Sequence, residues 1–225
     1  PLHVEYSAYC QSAGAWLDNH AMFLALREAN DGRVWTEWSN HVTETKVPLA
    51  EARHALAGRL AAHRFLQFLF ASQWRDLKAH AASRGLKIFG DLPIYVSHNS
   101  ADVWAHRSLF QLDPAGRSTR VAGVPPDYFS ETGQLWNNPL YDWDVMARDG
   151  FRWWVERLEV CLESVDLVRL DHFRGFEAYW SVPSGEVTAV HGEWIPGPAD
   201  AFLRTLAEAF CPRDDQGQIV LEKLP

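Results

Sequence analysis

The stretch Leu167-Val168-Arg169-Leu170-Asp171-His172-Phe173-Arg174-Gly175 sets a carboxylate, an imidazole and two guanidinium groups against a short apolar run. The run reads as a buried strand. Side chains alternate along a strand, so Arg169 and Asp171 point the same way. A carboxylate at the carboxyl end of such a strand, with a cation beside it, is held ionised. An ionised carboxylate in that place can act as a nucleophile. The plainer alternative is that Asp171 caps the next segment and pairs with Arg174, and spacing alone favours it.

A second carboxylate, Glu222, closes a last short strand expected over Gln218–Glu222. One crossover helix separates it from Asp171, and right-handed connection would set the two strands side by side. Neighbouring strands lie about 4.8 Å apart, which brings two strand-end carboxyl groups near the ~5–5.5 Å used by retaining glycosidases. One carboxylate would attack a sugar carbon while the other, its pKa raised, protonates the leaving oxygen. On geometry alone, Glu222 as an exposed acid at a frayed terminus is an equal alternative.

The elements that must hold these groups read as alternating helices and strands. Ser7 to Ala29 is expected to be helical, with Trp16, His20, Phe23 and Leu24 on one side and Asn30-Asp31-Gly32 ending it. Trp35 and Trp38 follow in a polar connection. Pro48 to Ser83 is a long helical stretch whose clearest stripe is Leu66, Phe70, Trp74, Leu77 and Ala81, with Gly85 as terminator. Leu86 to Val96 reads as a strand, and Ser100 as the cap of a short helix. Gln111 to Asp142 reads as a long loop, rich in Pro and Gly, whose rings Tyr128, Phe129, Trp136 and Tyr141 argue against disorder. Asp149 caps a helix to Glu163 with Phe151, Trp154, Val155, Leu158 and Leu162 inward. Asp166 to Leu170 is the strand before Asp171. Pro198 opens a helix burying Phe202, Leu206 and Phe210. There is no internal repeat and no low-complexity linker. Strands alternating with helices imply parallel βα units. Long βα loops with short αβ loops suit the active face of a (β/α)8 barrel, yet only three of eight strands are visible, so the chain reads as a piece of one.

Composition narrows the partners. The 225 residues carry a net charge of -8 and no basic run, which argues against nucleic acid and anionic membrane. No apolar run is long enough to span a bilayer and no signal peptide opens the chain. The three cysteines, Cys10, Cys161 and Cys211, lie far apart without a CxxC pair, which fits a reducing, cytoplasmic setting and no Cys-based zinc site. With 11 Trp, 12 Phe and 6 Tyr, rings remain beyond the core for stacking on sugar faces.

Several ordered words resemble a known family. They are Gly90-Asp91-Leu92-Pro93-Ile94-Tyr95-Val96, Ser100-Ala101-Asp102-Val103-Trp104-Ala105, and Val121-Ala122-Gly123-Val124-Pro125-Pro126-Asp127-Tyr128-Phe129-Ser130-Glu131-Thr132-Gly133-Gln134. Asn138-Pro139-Leu140-Tyr141, Arg169-Leu170-Asp171-His172-Phe173-Arg174-Gly175-Phe176, Val187-Thr188-Ala189 and Gly192-Glu193-Trp194 continue the series. Together with Ser7 to Trp38 they resemble the 4-alpha-glucanotransferases (amylomaltase, or disproportionating enzyme), glycoside hydrolase family 77, over nearly the whole chain.

That resemblance implies the central part of a catalytic (β/α)8 barrel over residues 1–225, with further strands and a third catalytic carboxylate outside them. It implies transfer of an α-1,4-glucan segment to another glucan through a glucosyl-Asp171 intermediate, with no metal or cofactor. Asp171 matches the nucleophile, Arg169 the arginine that supports it, and Glu222 the general acid/base. Tyr128, Phe129, Gln134 and Trp136 match the loop that covers the sugars, and His172 a histidine beside the nucleophile. The sequence departs from the family at Lys223, where Asp usually follows the acid/base Glu, and at Asn137, where the loop word usually has Gly. An incomplete barrel is expected to self-associate. A maltooligosaccharide-binding remnant and an amylase-clan hydrolase are the competing readings.

Overall fold

A computed structural model describes residues 2–38 and 46–211. Glu222, the expected strand Gln218–Glu222 with Ile219 and Val220, and Lys223 lie outside the described residues. The chain forms two compact units, one of Pro1–Ile88, Val96–Arg107 and Asp113–Arg117, the other of Phe89–Tyr95, Ser108–Leu112 and Ser118–Pro225.

The first unit is helical. Helix α1 (Leu2–Ala29) kinks at Gly14, and its second half buries Leu17, Ala21, Met22, Phe23, Ala25 and Leu26. Trp16, expected inward, is exposed, because the buried face is centred one residue further on. The long stretch from Pro48 is two helices, α2 (Lys46–Ala55) and α3 (Ala57–Ala82). Helix α3 packs on α1 through Leu60 and Phe68, with Tyr6 edge-on to Phe68 at 5.6 Å. The contact is fenced by Arg64 on Asp18 at 2.8 Å and His63 Nε2 on Glu28 at 2.9 Å. The expected stripe does not face inward: Leu66, Phe70 and Leu77 are 59%, 55% and 50% exposed. Leu66 and Phe70 each lie two residues from Phe68, about 200° around the helix, so they face away from α1. Ser100 does cap α4 (Ala101–Ala105), accepting from the Val103 N–H at 3.3 Å.

The second unit carries the strands. Strand β1 (Phe89–Leu92) pairs in parallel with β4 (Leu167–Leu170), Asp91 opposite Arg169. The strand expected over Leu86–Val96 is thus confined to its middle, with Leu86 exposed before it and Ile94 and Tyr95 buried after it. Neither strand is fully buried: β4 is half-buried and Arg169 exposed, since each strand has a single described neighbour. The stretch expected as one loop over Gln111–Asp142 contains β2 (Arg120–Val124) and β3 (Gln134–Pro139). These join β5 (Ala178–Pro183) and β6 (Glu193–Pro196) in an antiparallel sheet of order β3-β2-β5-β6. A mixed α/β architecture is therefore borne out, while the antiparallel sheet was unforeseen. Among the described residues the parallel strands do not close into a barrel.

The core of this unit is aromatic. Helices α5 (Trp143–Arg148), α6 (Arg152–Ser164) and α7 (Ala199–Phe210) bring Trp143, Trp154 and Phe202 together, and Phe176 stacks on Phe202 at 4.6 Å. Phe151, at φ 55°, takes the cap position of α6, and Asp149 still accepts the Arg152 N–H at 3.4 Å. Pro198 stands at the cap of α7, which buries Phe202 while Leu206 and Phe210 are half-buried. Such ring packing adds to area burial by about 0.5–1.5 kcal/mol per pair.

Candidate active site

The segment after β1 is pinned from behind. The buried Tyr141 hydroxyl donates to the Ile94 carbonyl at 2.7 Å, and the Tyr141 ring stacks on Tyr95 at 5.8 Å. From α6, the Arg157 guanidinium donates to the Pro93 carbonyl at 2.8 Å and lies 4.8 Å over the Trp154 ring. On the other strand, the Asp171 N–H donates to the Leu92 carbonyl at 3.0 Å, carrying the parallel ladder one residue past β4. Asp171 is thereby set at the strand ends beside Pro93.

Arg169 holds two carboxylates. Its Nε donates to Asp91 Oδ1 at 3.0 Å and its Nη2 to Asp91 Oδ2 at 2.5 Å, while Nη2 lies 3.4 Å from Asp171 Oδ1. The alternation that aims Arg169 and Asp171 alike is thus visible as an ion pair, and it is Arg169 rather than Arg174 that Asp171 meets. The Arg169 hydrogen bond holds the Asp91 carboxyl below its usual range, and the same bond raises the guanidinium.

His172 follows in a left-handed conformation, φ 49° and ψ 46°. Its carbonyl accepts from the Gly175 N–H at 2.8 Å, closing the turn Phe173–Phe176. Gly175 fits closely: a Cβ there would lie 2.7 Å from Ile94 Cδ1 and 2.9 Å from His172 Cδ2, so a larger residue would make these side chains shift. Burial lowers the His172 pKa and Arg174 lowers it further, while Asp171 raises it. The Trp136 ring meets His172 edge-on at 4.9 Å and lies 6.2 Å from Tyr95. Gln134 Oε1 accepts the Trp136 indole N–H at 3.1 Å.

Pro93, Ile94, Tyr95, Trp136, Asn138, Asp171 and His172 line a cleft of about 210 Å³. Of the sequence-derived candidates, Asp171, His172 and Trp136 meet at this cleft, with Arg169 and Gln134 behind two of them. Tyr128 and Phe129 sit elsewhere, 98% and 92% exposed, on the turn between β2 and β3. That turn is ordered by Asp127 Oδ1, which accepts the Phe129 and Ser130 N–H groups at 2.9 Å each. Glu222 is outside the described residues. Sequence reasoning missed Asp91, Tyr95 and Asn138. Asp91 could have been found from an acidic residue inside an apolar strand; Tyr95 and Asn138 carried no such signal.

A carboxylate open at a strand end, a cation steadying it, and two rings beside it can bind and attack a polyol ring with apolar faces. Among the described residues no group of three or more His, Cys, Asp or Glu could hold a metal ion. No described helix is long and apolar enough to cross a membrane.

The model of glycoside hydrolase family 77, described as 4-alpha-glucanotransferase, matches residues 2–224. A 4-alpha-glucanotransferase of Synechocystis sp. is 47% identical, the match covering 99% of this chain and 44% of that protein. One of Thermus thermophilus is 49% identical over 91% of this chain and 41% of its own. Amylomaltase from Streptococcus agalactiae, solved in complex with acarbose, superposes with a TM-score of 0.86 at 36% identity, covering 91% of this chain and 42% of that one. The chain spans less than half the length of these relatives.

Proposed function

The chain belongs to the 4-alpha-glucanotransferase family, glycoside hydrolase family 77, and on that premise we propose that its Asp171 cleft is part of a site transferring an α-1,4-glucan segment to another glucan or to glucose. β1 and β4 are then adjacent strands of a (β/α)8 barrel whose carboxyl ends carry the chemistry. In the first step Asp171 attacks the anomeric carbon. The glycosidic C–O bond breaks, the leaving oxygen takes a proton from Glu222, and a glucosyl ester forms on Asp171. In the second step an acceptor hydroxyl gives its proton to Glu222 and displaces Asp171, so the configuration is retained. Arg169 stabilises the ionised nucleophile and is itself anchored by Asp91. Trp136 offers a stacking face for a glucosyl ring, and His172 borders the position of the reacting sugar. Tyr128 and Phe129, projecting from their ordered turn, cover donor and acceptor. The work is cytoplasmic and metal-free.

The observation that carries this proposal is the meeting of Asp171, His172 and Trp136 around one cleft, with the Arg169–Asp91 fork behind the nucleophile. The test is maltotriose disproportionation with Asp171→Asn in a full-length context. Transfer is expected to be lost while maltooligosaccharide binding remains, because attack needs the charge and binding rests on many sugar contacts. Near-normal turnover would remove Asp171 from the nucleophile's role. Glucose release without longer products in the unsubstituted enzyme would make it a hydrolase.

A further inference from the structure

Strand β3 is irregular where it passes the cleft. Val121 stands opposite Pro139 and Gly123 opposite Leu135, so residues 136–138 span the stretch facing the single residue Ala122. A regular antiparallel ladder would set one residue there. In the middle of the excess, Asn137 has φ 62°, the left-handed region. Glycine enters that region freely, Asn and Asp at modest cost, and other residues at a larger one. The two neighbours of Asn137, Trp136 and Asn138, are half-buried cleft walls, whereas Asn137 is exposed.

We propose that Asn137 is a positioning residue: its left-handed backbone makes the bulge that carries Trp136 and Asn138 off the β2 ladder and against Tyr95 and His172. A bulge lengthens one strand locally and re-aims the side chains on it. The Trp136 ring is then fixed at both ends, by the Gln134 acceptor at 3.1 Å on its indole N–H and by the His172 ring at 4.9 Å. With Asn137 forced out of the left-handed region, the excess residues would have to take another path, drawing Trp136 away from His172. The glucan-facing part of this role rests on the function proposed above; the placement of Trp136 does not.

Both parts are tested on the 225-residue chain with 5-fluorotryptophan, the Trp136 resonance being assigned by Trp136→Phe. The direct readout is the NOE between the Trp136 indole and the His172 ring. Asn137→Gly is expected to keep it, and Asn137→Val to lose it, since a β-branched residue is an outlier at positive φ. Asn137→Ala, with a milder penalty, keeps the experiment decisive should the Val variant fail to fold. Titration with maltotriose, followed on the Trp136 resonance, is expected to weaken about tenfold or more in the variants that lose the NOE and to be unchanged in Asn137→Gly. An NOE retained in folded Val and Ala variants overturns the proposal. Loss of the NOE with unchanged maltotriose binding leaves the positioning role standing and overturns the assignment of this cleft to glucan.

Discussion

Arg169 is shared unequally between two carboxylates, and that asymmetry decides which of them stays open to the cleft. Asp91 takes the guanidinium fork and Asp171 a single 3.4 Å contact, so Asp171 keeps lone pairs open toward the cleft. A carboxylate whose folded pKa is depressed contributes stability above its unfolded value, about 3.9 for Asp, and loses it as pH falls through the folded one. The Asp91–Arg169 fork therefore holds throughout the neutral range and opens only in acid. His172 works in the neighbouring window. Burial favours its neutral form, so the folded pKa lies below the unfolded value of about 6.5. Its contribution is complete above that value and is lost as pH falls through the window beneath it. Titration of the His172 ring by NMR is expected to show a midpoint below that of an ordinary histidine. In Asp171→Asn the midpoint falls further, because Asp171 is the group that raises it. A midpoint that rises in that variant would show that Asp171 is not the group that raises it.

Individual elements differ in how far the sequence reveals them. The strand before Asp171, the Ser100 cap and the helix after Pro198 follow from local rules, since an apolar run, a hydroxyl three residues before an N–H and a proline act on their own neighbours. The sheet β3-β2-β5-β6 does not. Its strands are short, its central pairing of β2 with β5 joins residues some sixty apart such as Arg120 and Pro183, and β2 and β3 lie in a Pro- and Gly-rich stretch that reads as loop. The α3 stripe misled for a related reason: periodicity finds an apolar face, while the partner helix decides which face is covered. Asp171, His172 and Trp136 are candidates through chemistry and resemblance, and the structure brings the three to one cleft. Asp91 stands out in the sequence only as an acid inside an apolar strand, and its partner Arg169 emerges with the β1–β4 register, as Tyr95 does with the Tyr141 stack. That stack yields a test at this scale. Tyr141→Phe keeps the ring but leaves the buried Ile94 carbonyl without its 2.7 Å donor. The expected cost is about 1–3 kcal/mol in urea unfolding. It should come with weaker maltooligosaccharide binding, since Ile94 and Tyr95 wall the cleft. Unfolding unchanged within a few tenths of a kcal/mol would show the carbonyl re-satisfied by another group.

On the scale of the whole molecule, two cores are built from one chain, and neither covers all of its apolar surface. In the first unit Leu66, Phe70 and Leu77 form an exposed row on α3, and in the second Phe89 is exposed at the start of β1. Fully covering an exposed side chain of this size is worth about 1.5–3 kcal/mol; these are already about half-covered, so the row supplies a contribution toward association rather than the whole of it. The net charge of -8 acts the other way, by repulsion between copies. At physiological ionic strength exposed charges are screened beyond about 8 Å, while apolar attraction is untouched. The 225-residue chain is therefore expected to self-associate, and more strongly as salt is added. Sedimentation velocity over a range of concentration and salt measures this directly. Phe70→Glu together with Leu66→Glu should shift the chain toward monomer without loss of helix signal, because neither side chain faces α1. A chain that stays monomeric at high salt, or whose association ignores both substitutions, would show that the α3 row is not the surface through which copies meet.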